Sequence, residues 1–242
     1  MKNGNVHHRE LLCRIFDGTE EVISAEYLPI VLQFGLSEEY DRQQITRLIP
    51  FLSFWPEETL ALQVTVESLI RPRFQRWLRD TLMQCEKSQR KHIIFELAEA
   101  DVCQYIGRLQ PVMRLVNALG VRVAVVQAGL TLVGTSWIKQ LDAELIKLHP
   151  GLARNIEKRS ENQLLVQSLV HLLYNCTVWY VLACLIISDH VDDVKGEKTD
   201  DKSEDNHQKS YPMDVCPGLD FHYQERELGL VGKFPAGFYL SL

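Results

Sequence analysis

The sequence predicts an α/β protein with an incomplete β/α barrel, followed by a largely irregular C-terminal tail. Short apolar runs alternate with longer amphipathic segments between residues 5 and about 158, and this alternation is typical of parallel strands connected by helices. The apolar runs are rich in β-branched residues, as expected when both faces of a sheet are covered. The alternation fades near residue 169, so the barrel is predicted to be incomplete.

Composition and charge are those of an ordinary globular protein. Of the 242 residues, 46% are apolar and 24% are charged, which excludes a wholly disordered chain, a collagen-like repeat and a small disulfide scaffold. Residues 1–169 carry 20 basic and 20 acidic groups, whereas residues 170–242 carry 6 and 12, so the net charge of −6 lies in the last third. The six cysteines form no CxxC pair and no signal peptide opens the chain, so we expect reduced thiols and a cytoplasmic location.

Five apolar runs are predicted to be strands. One ends the segment 6–16, and the others are 60–66, 93–97, 121–126 and 145–148. In parallel β/α folds the chemistry is carried by the C-terminal ends of the strands. The polar residues at those ends are therefore the candidates for a functional site.

Two amphipathic segments separate the first strand from the second. The segment 25–34 has the apolar spacing of a helix, and Ser24 is predicted to be its N-cap. The segment 39–49 has the same spacing and is predicted to end at Pro50, because the residue before a proline disfavours helical geometry.

Two further helices follow the second and third predicted strands. One begins at Pro72, at a position that tolerates proline. The other covers 105–119, with a kink predicted at Pro111 and a stop at Gly120 in the C′ position. The inner stripe of the helix that Pro72 opens is predicted to be Phe74, Leu78 and Leu82.

The last third of the chain is predicted to differ from the rest. Residues 162–188 contain no formally charged side chain, and 170–188 are predicted to form an apolar helix. This helix is either buried or a membrane segment that attaches the chain to the inner membrane, since a span needs ~20 mostly apolar residues. Residues 189–242 form an acidic tail, which is predicted to be disordered because 189–210 have almost no large apolar residues and 211–242 show no periodicity.

The motifs at the strand ends, taken in order and spacing, resemble those of EAL domains, the cyclic di-GMP phosphodiesterases. They are His8-Arg9-Glu10-Leu11-Leu12-Cys13-Arg14, Phe95-Glu96-Leu97-Ala98-Glu99, the run 119–127 and Ile146-Lys147-Leu148-His149. The resemblance covers residues 5–169. It implies a TIM-like β/α barrel from which the first strand and the last two strands are missing.

The resemblance also implies a site in which two hard cations, Mg²⁺ or Mn²⁺, activate water and neutralise the phosphodiester. Glu10 and Glu96 fall on two of the family's metal-ligand positions. Gln63 replaces an asparagine, and Val126 and Gln127 replace the paired aspartates. Because valine has no ligand atom and glutamine has no charge, we expect the pair of cations to be lost.

Other positions at the strand ends depart from the family's pattern as well. Lys147 is kept, but His149 stands where an aspartate is expected. We therefore expect no metal ion and no catalytic residue, and only weak or absent cyclic di-GMP binding. The degenerate positions are Val126, Gln127, Lys147 and His149. The residues left as vestiges of ligand binding are Glu10, Arg14, Gln63, Glu96 and Glu99.

A second candidate site is basic and lies in the helix that Pro72 opens. Its residues are Arg71, Arg73, Arg76, Trp77 and Arg79. Positions 73, 76 and 79 share one slowly drifting helix face. Guanidinium groups beside an aromatic ring suit phosphate contact and base stacking, so one interpretation is an RNA-binding surface. The other interpretation is a solvated outer face.

Residues 64–91 resemble more narrowly the regulatory members of the family that act in small-RNA decay. This resemblance implies a catalytically inactive regulator that acts through RNA or protein contacts. The implied partners are a structured small RNA, the RNase E pathway and a protein of the phosphotransferase system. Two alternatives stay open: a cyclic di-GMP phosphodiesterase with a degenerate Mg²⁺ or Mn²⁺ site, and a truncated fragment without function.

Overall fold

The computed structural model describes residues 8–13, 15–17, 20–129, 136–141, 143–153, 158–174, 179–184 and 229–232. The strands are β1 (Arg9–Leu11), β2 (Ile15–Asp17), β3 (Glu20–Val22), β4 (Leu60–Gln63), β5 (Ile93–Ala98), β6 (Arg122–Ala128), β7 (Leu145–Leu148), β8 (Trp179–Cys184) and β9 (Gly229–Gly232). The helices are α1 (Ser24–Gln33), α2 (Ser37–Phe54), α3 (Val66–Leu69), α4 (Pro72–Leu82), α5 (Lys87–Arg90), α6 (Glu99–Leu119), α7 (Ser136–Leu141), α8 (Pro150–Ala153) and α9 (Ser160–Tyr174).

Seven of the described strands form one sheet in the order β1-β4-β5-β6-β7-β8-β9. All neighbours in this sheet are parallel except β9, which pairs antiparallel with β8. The strands β2 and β3 form a separate antiparallel pair. Of the six parallel strands, β1, β4, β5, β6 and β7 with their helices form half of a barrel, which confirms the predicted α/β fold class.

The two faces of the sheet differ in what covers them. The main core packs the helices against one face, to which alternate strand residues such as Leu62, Phe95 and Val125 belong. The other face carries a small second cluster of Ala61, Ile94, Ala124 and Leu145 on four neighbouring strands. Because side chains alternate along a strand, the residues two positions further on lie on this same second face. Those residues include most of the candidate site.

The helix α4 matches its prediction closely. It begins at Pro72, and its predicted inner stripe of Phe74, Leu78 and Leu82 is fully buried at 0% exposure. Burying three large apolar side chains contributes roughly 1.5–3 kcal/mol each. The outward half of α4 therefore belongs to the surface.

Two predicted features of the helices near the N-terminus are wrong. Ser24 is the first residue of α1, and Ile23 in extended conformation occupies the N-cap. Pro50 lies inside α2, which continues to Phe54. A proline removes one helical hydrogen bond, but Leu48 and Leu52 on either side of it are buried to 1% and 2% exposure, so packing holds the helix together.

The strand β4 ends three residues earlier than predicted because a capping residue follows it. The Thr65 hydroxyl accepts a hydrogen bond from the Ser68 backbone N–H at 3.3 Å and thereby starts α3.

The kink of α6 does not lie at the predicted residue. The residue with non-helical geometry is Tyr105, not Pro111. Gly120 ends α6 with φ +84°, as predicted.

The apolar segment 170–188 does not form the single helix that the sequence predicts. The helix α9 ends at Tyr174, and β8 adds a parallel strand beside β7. The tail predicted to be irregular contains β9, and its other residues lie outside the described part of the chain. Within the described ranges, none of the helices is both long and apolar enough to cross a bilayer.

A buried carboxyl group joins α2 to the turn after β4. Asp41 is fully buried, and its Oδ2 accepts hydrogen bonds from the Thr65 backbone N–H at 3.1 Å and from the Thr65 hydroxyl at 2.5 Å. Its other oxygen, Oδ1, has no hydrogen-bond partner among the described residues. Burial raises the pKa of Asp41 to about 7, although hydrogen bonds from Ser68 and Thr65 lower it.

The raised pKa of Asp41 predicts that the folded state loses stability between about pH 4 and pH 7. The unfolded chain releases this proton near pH 4, whereas the folded chain keeps it to about pH 7. The stabilising contribution is therefore full below about pH 4 and is lost as the pH rises through about 7. Asp41→Asn should remove this pH dependence of the unfolding free energy. For a pKa raised from about 4 to about 7, the change over this pH range is ~4 kcal/mol. Urea unfolding at a series of pH values measures it.

The control for this prediction is Asp80→Asn, because Asp80 lies at the surface of α4. This variant should keep the pH dependence of the unfolding free energy between pH 4 and 7. An Asp41→Asn variant with the same slope as the unaltered chain would show that Asp41 is not the titrating group.

Candidate functional site

An ammonium group and two carboxylates meet at the C-terminal ends of three strands. Lys147 of β7 donates from Nζ to Oε1 of Glu10 in β1 at 2.5 Å, and it also donates to Oε1 of Glu96 in β5. Glu96 and Lys147 stand two residues after Ile94 and Leu145 of the second cluster, so alternation places them on the same face. The strands thus bring together three of the predicted site residues that lie up to 137 positions apart in sequence.

Lys147, Glu10 and Glu96 form a triad in which the opposite charges stabilise one another. Lys147 is 4% exposed, and Glu96 is also buried. A buried charge is costly unless an opposite charge faces it, and here one cation faces two anions. The triad is held by β1, β5 and β7, none of which is a direct neighbour of another in the sheet.

His8 is a member of this site that the sequence analysis missed. It is 1% exposed, and its Nε2 lies 3.9 Å from Oε1 of Glu96. One donor atom each from His8, Glu10 and Glu96 lies within 4.8 Å of the other two. The signal for it was the period of two along a strand, since His8 precedes Glu10 by two residues.

The two positions that replace the paired aspartates supply no acidic group to the site. Val126 is partly buried in β6, and Gln127 is exposed. Gln127 has φ +58°, and the pairing of β6 with β7 shifts register between Val125 and Ala128. The strand end is therefore bulged at the residue that carries the amide.

Glu99 is used for structure in this arrangement. It lies at the start of α6, and its Oε2 accepts a hydrogen bond from the Gly129 backbone N–H at 3.0 Å. Gly129 has φ +97°, and a Cβ at this position would lie 2.6 Å from Cδ1 of Leu152. The backbone geometry thus favours glycine at the end of β6, and a Cβ there would also require the Leu152 side chain to shift.

The remaining predicted site residues are more scattered. Gln63 is exposed and stands opposite Glu96 in the register of β4 with β5. His149 accepts a hydrogen bond at Nδ1 from the Gly151 backbone N–H at 2.9 Å and so takes part in the turn after β7. Arg14 lies outside the described residues.

The donors present do not fit a pair of Mg²⁺ or Mn²⁺ ions. Such ions require shells of oxygen ligands, built largely from carboxylates and water. In the described part of the site, the carboxylates of Glu10 and Glu96 are both engaged by Lys147, and that of Glu99 accepts from Gly129. Val126 has no ligand atom, and Gln127 is exposed at a bulge.

The basic residues of α4 lie largely at the surface. Arg73 is 82% exposed at its side chain, and Arg76 and Arg79 are exposed too. Acidic neighbours lie near several of these residues: Arg71 pairs with Glu67 at 2.8 Å, Arg73 lies 3.7 Å from Glu38, and Arg79 pairs with Asp80 at 2.8 Å.

The aromatic residue of this surface already has a cationic neighbour. The Arg42 guanidinium of α2 lies 4.7 Å from the centre of the Trp77 ring, and the Phe74 ring lies 5.5 Å from it on the inner side. The predicted base-stacking role of Trp77 would therefore require Arg42 to move or to share the ring.

The half-barrel and the carboxylate positions define the class of protein. Residues 1–181 match the model of the EAL domain family, so the chain belongs to the EAL domain family, as the motifs predicted.

Two curated relatives from Escherichia coli strain K12 make the similarity more specific. The chain is 83% identical over 169 residues to the RNase E specificity factor CsrD, a match that covers 70% of this chain and 26% of CsrD. It is 26% identical over 174 residues to the cyclic di-GMP phosphodiesterase PdeF, covering 70% of this chain and 23% of PdeF. The chain thus spans about a quarter of the length of these relatives. The narrower predicted resemblance, to the regulators of small-RNA decay, is confirmed by the similarity to CsrD.

Solved structures agree on the fold. The FimX EAL domain of Pseudomonas aeruginosa bound to c-di-GMP superposes with a TM-score of 0.65 at 24% identity, covering 74% of this chain and 73% of that domain. The Vibrio cholerae LapD S helix-GGDEF-EAL protein bound to c-di-GMP gives 0.66 at 19% identity, covering 72% and 42%. At these identities the comparison shows that the chain has the EAL fold.

The positive φ of Gln127 predicts a stabilising substitution at the bulge. A non-glycine residue in this conformation costs roughly 1–2 kcal/mol, and glycine adopts it freely. Gln127→Gly should raise the free energy of unfolding by about 1 kcal/mol, measured by urea denaturation. Gln127→Ala is the matched control, because alanine keeps the strained backbone. Equal urea midpoints for Gln127→Gly and Gln127→Ala would show that the Gln127 backbone is not strained.

Proposed function

We propose that this chain is a regulatory EAL domain without phosphodiesterase activity, which acts in small-RNA turnover by the RNase E pathway. The observation that carries the proposal is the end of β6, where Val126 has no ligand atom and Gln127 is exposed at a bulge. A regulator needs the shape and surface of the domain, and it does not need a metal-activated water.

The chemistry of hydrolysis supports the proposed lack of phosphodiesterase activity. Two-metal hydrolysis requires both ions to be held close together, so that one activates water and both stabilise the transferring phosphoryl group. In the described site a lysine cation neutralises the carboxylates that would hold such ions. The end of β6 presents Val126 and Gln127, which cannot replace the missing anionic ligands.

The similarity to CsrD supports the proposed role in small-RNA turnover. CsrD is an RNase E specificity factor, and at 83% identity over 169 residues the surface of this domain is expected to be largely shared. We therefore assign the chain to the same pathway. A protein of the phosphotransferase system remains a predicted partner.

We propose further that α4 contacts RNA through its outward arginines. The buried stripe of α4 points Phe74 and Leu78 into the core, so Arg76 stands near the middle of the opposite, solvent-facing side. Arg73 and Arg79 flank it, and all three are exposed. An exposed row of guanidinium groups fits the spaced phosphates of an RNA backbone, since each can bind a phosphate bidentately.

The full chain should not hydrolyse cyclic di-GMP with either Mg²⁺ or Mn²⁺. Linear dinucleotide, separated by chromatography, should stay at the level of a protein-free control, because Val126 and Gln127 supply no anionic ligand for a second ion. PdeF in the same buffer serves as the positive control. Turnover by this chain that disappears in Glu10→Ala would overturn the regulatory assignment and favour the degenerate phosphodiesterase.

The double variant Arg73→Ala/Arg76→Ala should bind a structured RNA less tightly than the unaltered chain. Each lost phosphate contact lowers the slope of log affinity against log salt by about 1, so the slope should fall by about 2. Fluorescence anisotropy at several salt concentrations measures both quantities.

The matched control for RNA binding is Arg108→Ala/Arg114→Ala, which removes two exposed arginines from α6. This control should leave affinity and salt slope unchanged. Equal losses in both double variants would mean that only net charge matters, and no loss in either would mean that α4 is a solvated face. All variants should unfold in one cooperative thermal transition, which the interpretation as a non-folding fragment does not allow.

A further inference from the structure

We propose that this chain forms a two-fold symmetric dimer in which the end of α1 in each copy packs against the start of α9 in the other copy. The α1 patch consists of four exposed apolar side chains, those of Ile30, Leu32, Phe34 and Leu36. The α9 patch consists of the exposed side chains of Leu164 and Leu165. Both patches lie apart from the strand-end site and from the arginines of α4, so this dimer is independent of the proposed function.

The α1 patch is the largest group of exposed, large apolar side chains in the described part of the chain. Phe34 is 71% exposed, and the other three members are 38–54% exposed. A single apolar residue on a protein surface needs no explanation, whereas several large ones together mark an interaction surface. The end of α1 is therefore a surface that another element is expected to cover.

The backbone that carries the α1 patch is held by hydrogen bonds. The Leu36 N–H donates to the Val31 carbonyl at 2.9 Å, and the Gly35 N–H donates to the Leu32 carbonyl at 3.0 Å. Together with φ +69° at Gly35, these two bonds form a Schellman motif, which closes the helix end. The apolar side chains thus project from a formed helix end, so docking a partner there requires little further ordering of the backbone.

The surroundings of the α1 patch are acidic. Glu26 is exposed one helical turn before Ile30, and Glu39 is exposed in the first turn of α2. Residues 15–41 contain seven acidic residues and no lysine or arginine. Such a rim repels a second α1 patch and an anionic lipid surface alike. The occupant is therefore an element that combines exposed apolar side chains with positive charge.

The α9 patch has both properties. Leu164 is 65% exposed and Leu165 is 40% exposed. Lys158 and Arg159 are exposed directly before α9, and they outnumber the one acidic residue of its first turn, Glu161. Packing the two leucines on the α1 patch brings these cations towards its acidic rim, so apolar contact and charge favour the same arrangement.

The other exposed surfaces of the described residues fit the α1 patch less well. Phe54 and Met83 are large, exposed and apolar, but each is the one such residue of its segment. The helix α4 carries several arginines, but its apolar stripe is buried in the core of its own chain. A second copy of this chain, docking through α9, is therefore the occupant that the described surface supports.

Two-fold symmetry allows the contact to form twice in one dimer. The axis brings α1 of each copy to α9 of the other, so the two contacts are equal. A single contact between two helix ends is small beside the ~1,200–2,000 Å² that stable, specific interfaces bury. Forming the contact twice doubles the buried area, which favours a closed dimer over an open chain of copies.

The experiment is sedimentation equilibrium of the full chain between about 1 and about 100 μM, a range that covers micromolar dissociation constants. The expected species are one chain and two chains, in reversible exchange. Phe34→Glu and Leu164→Glu should each weaken the dimer by about tenfold or more, because each places a charge in an apolar contact. Phe54→Glu is the matched control: Phe54 is 74% exposed outside both patches, so this variant should dimerise like the unaltered chain.

Mixing the two variants tests which patch meets which. In a dimer of one Phe34→Glu chain and one Leu164→Glu chain, one contact carries both substitutions and the other contact carries neither. The mixture should therefore associate more tightly than either variant alone. The charge component is tested by Lys158→Glu/Arg159→Glu, which should weaken the dimer because it places negative charges beside an acidic rim.

Four results would overturn the proposal. They are a single chain at all concentrations, a dimer that Phe34→Glu or Leu164→Glu leaves unchanged, equal weakening by Phe54→Glu, and a mixture that associates no better than its components. Oligomers that grow with concentration beyond two chains would contradict the two-fold symmetry. Thermal melts show which variants fold, and since separate variants test the two patches, failure of one to fold leaves the decision to the other.

Discussion

The contact of the Lys147 ammonium with Glu10 and Glu96 is the interaction on which the C-terminal edge of this sheet depends. It joins β7 to β1 and β5, which are separated in the sheet by other strands. Because Lys147 and Glu96 are buried, removal of the lysine would leave the Glu96 carboxylate without the charge that faces it, a change that typically costs about 3–5 kcal/mol. The contact thus joins three strands that are not direct neighbours in the sheet.

The same contact limits the chemistry of the site. A tethered ammonium has a fixed local concentration, so it occupies the carboxylates without any dependence on ions in solution. It can neutralise charge, but it cannot lower the pKa of a bound water as a divalent ion does. On the proposed function, the site keeps the fold of the family and works without a metal-activated water. The proposed function accordingly depends on contacts at the surface of the domain.

Local patterns predicted part of this structure well. The stripe of Phe74, Leu78 and Leu82 follows from helical spacing, and Gly120 ends α6 because its position needs a positive φ. Pro50 was misjudged because the packing of its neighbours outweighs one lost hydrogen bond. Asp41 gave no sequence signal, since only the tertiary structure places its carboxyl beside Thr65.

For the candidate site too, local motifs predicted the residues, whereas the contacts between them depend on the tertiary structure. The motifs located Glu10, Glu96 and Lys147, and parallel strands explain why their ends coincide. They did not single out Lys147 among the nearby cations as the partner of both carboxylates, because those contacts span as many as 137 positions. His8 was missed for a different reason: a histidine two residues before a glutamate carries no distinctive motif, and it acquires meaning only when burial places it beside Glu96.

The segment after α9 explains how Lys147 is held in place. An unpaired edge of β7 would expose backbone donors and acceptors that recruit another strand. A short apolar run reads equally well as a buried helix or a strand, and β8 takes the strand form, pairing in parallel with β7 so that Val181 lies opposite Lys147. With β6 on one side and β8 on the other, β7 is no longer an edge strand. The strand that carries Lys147 is thereby flanked on both sides, and Lys147 itself is paired with β8 next to the bulge of β6.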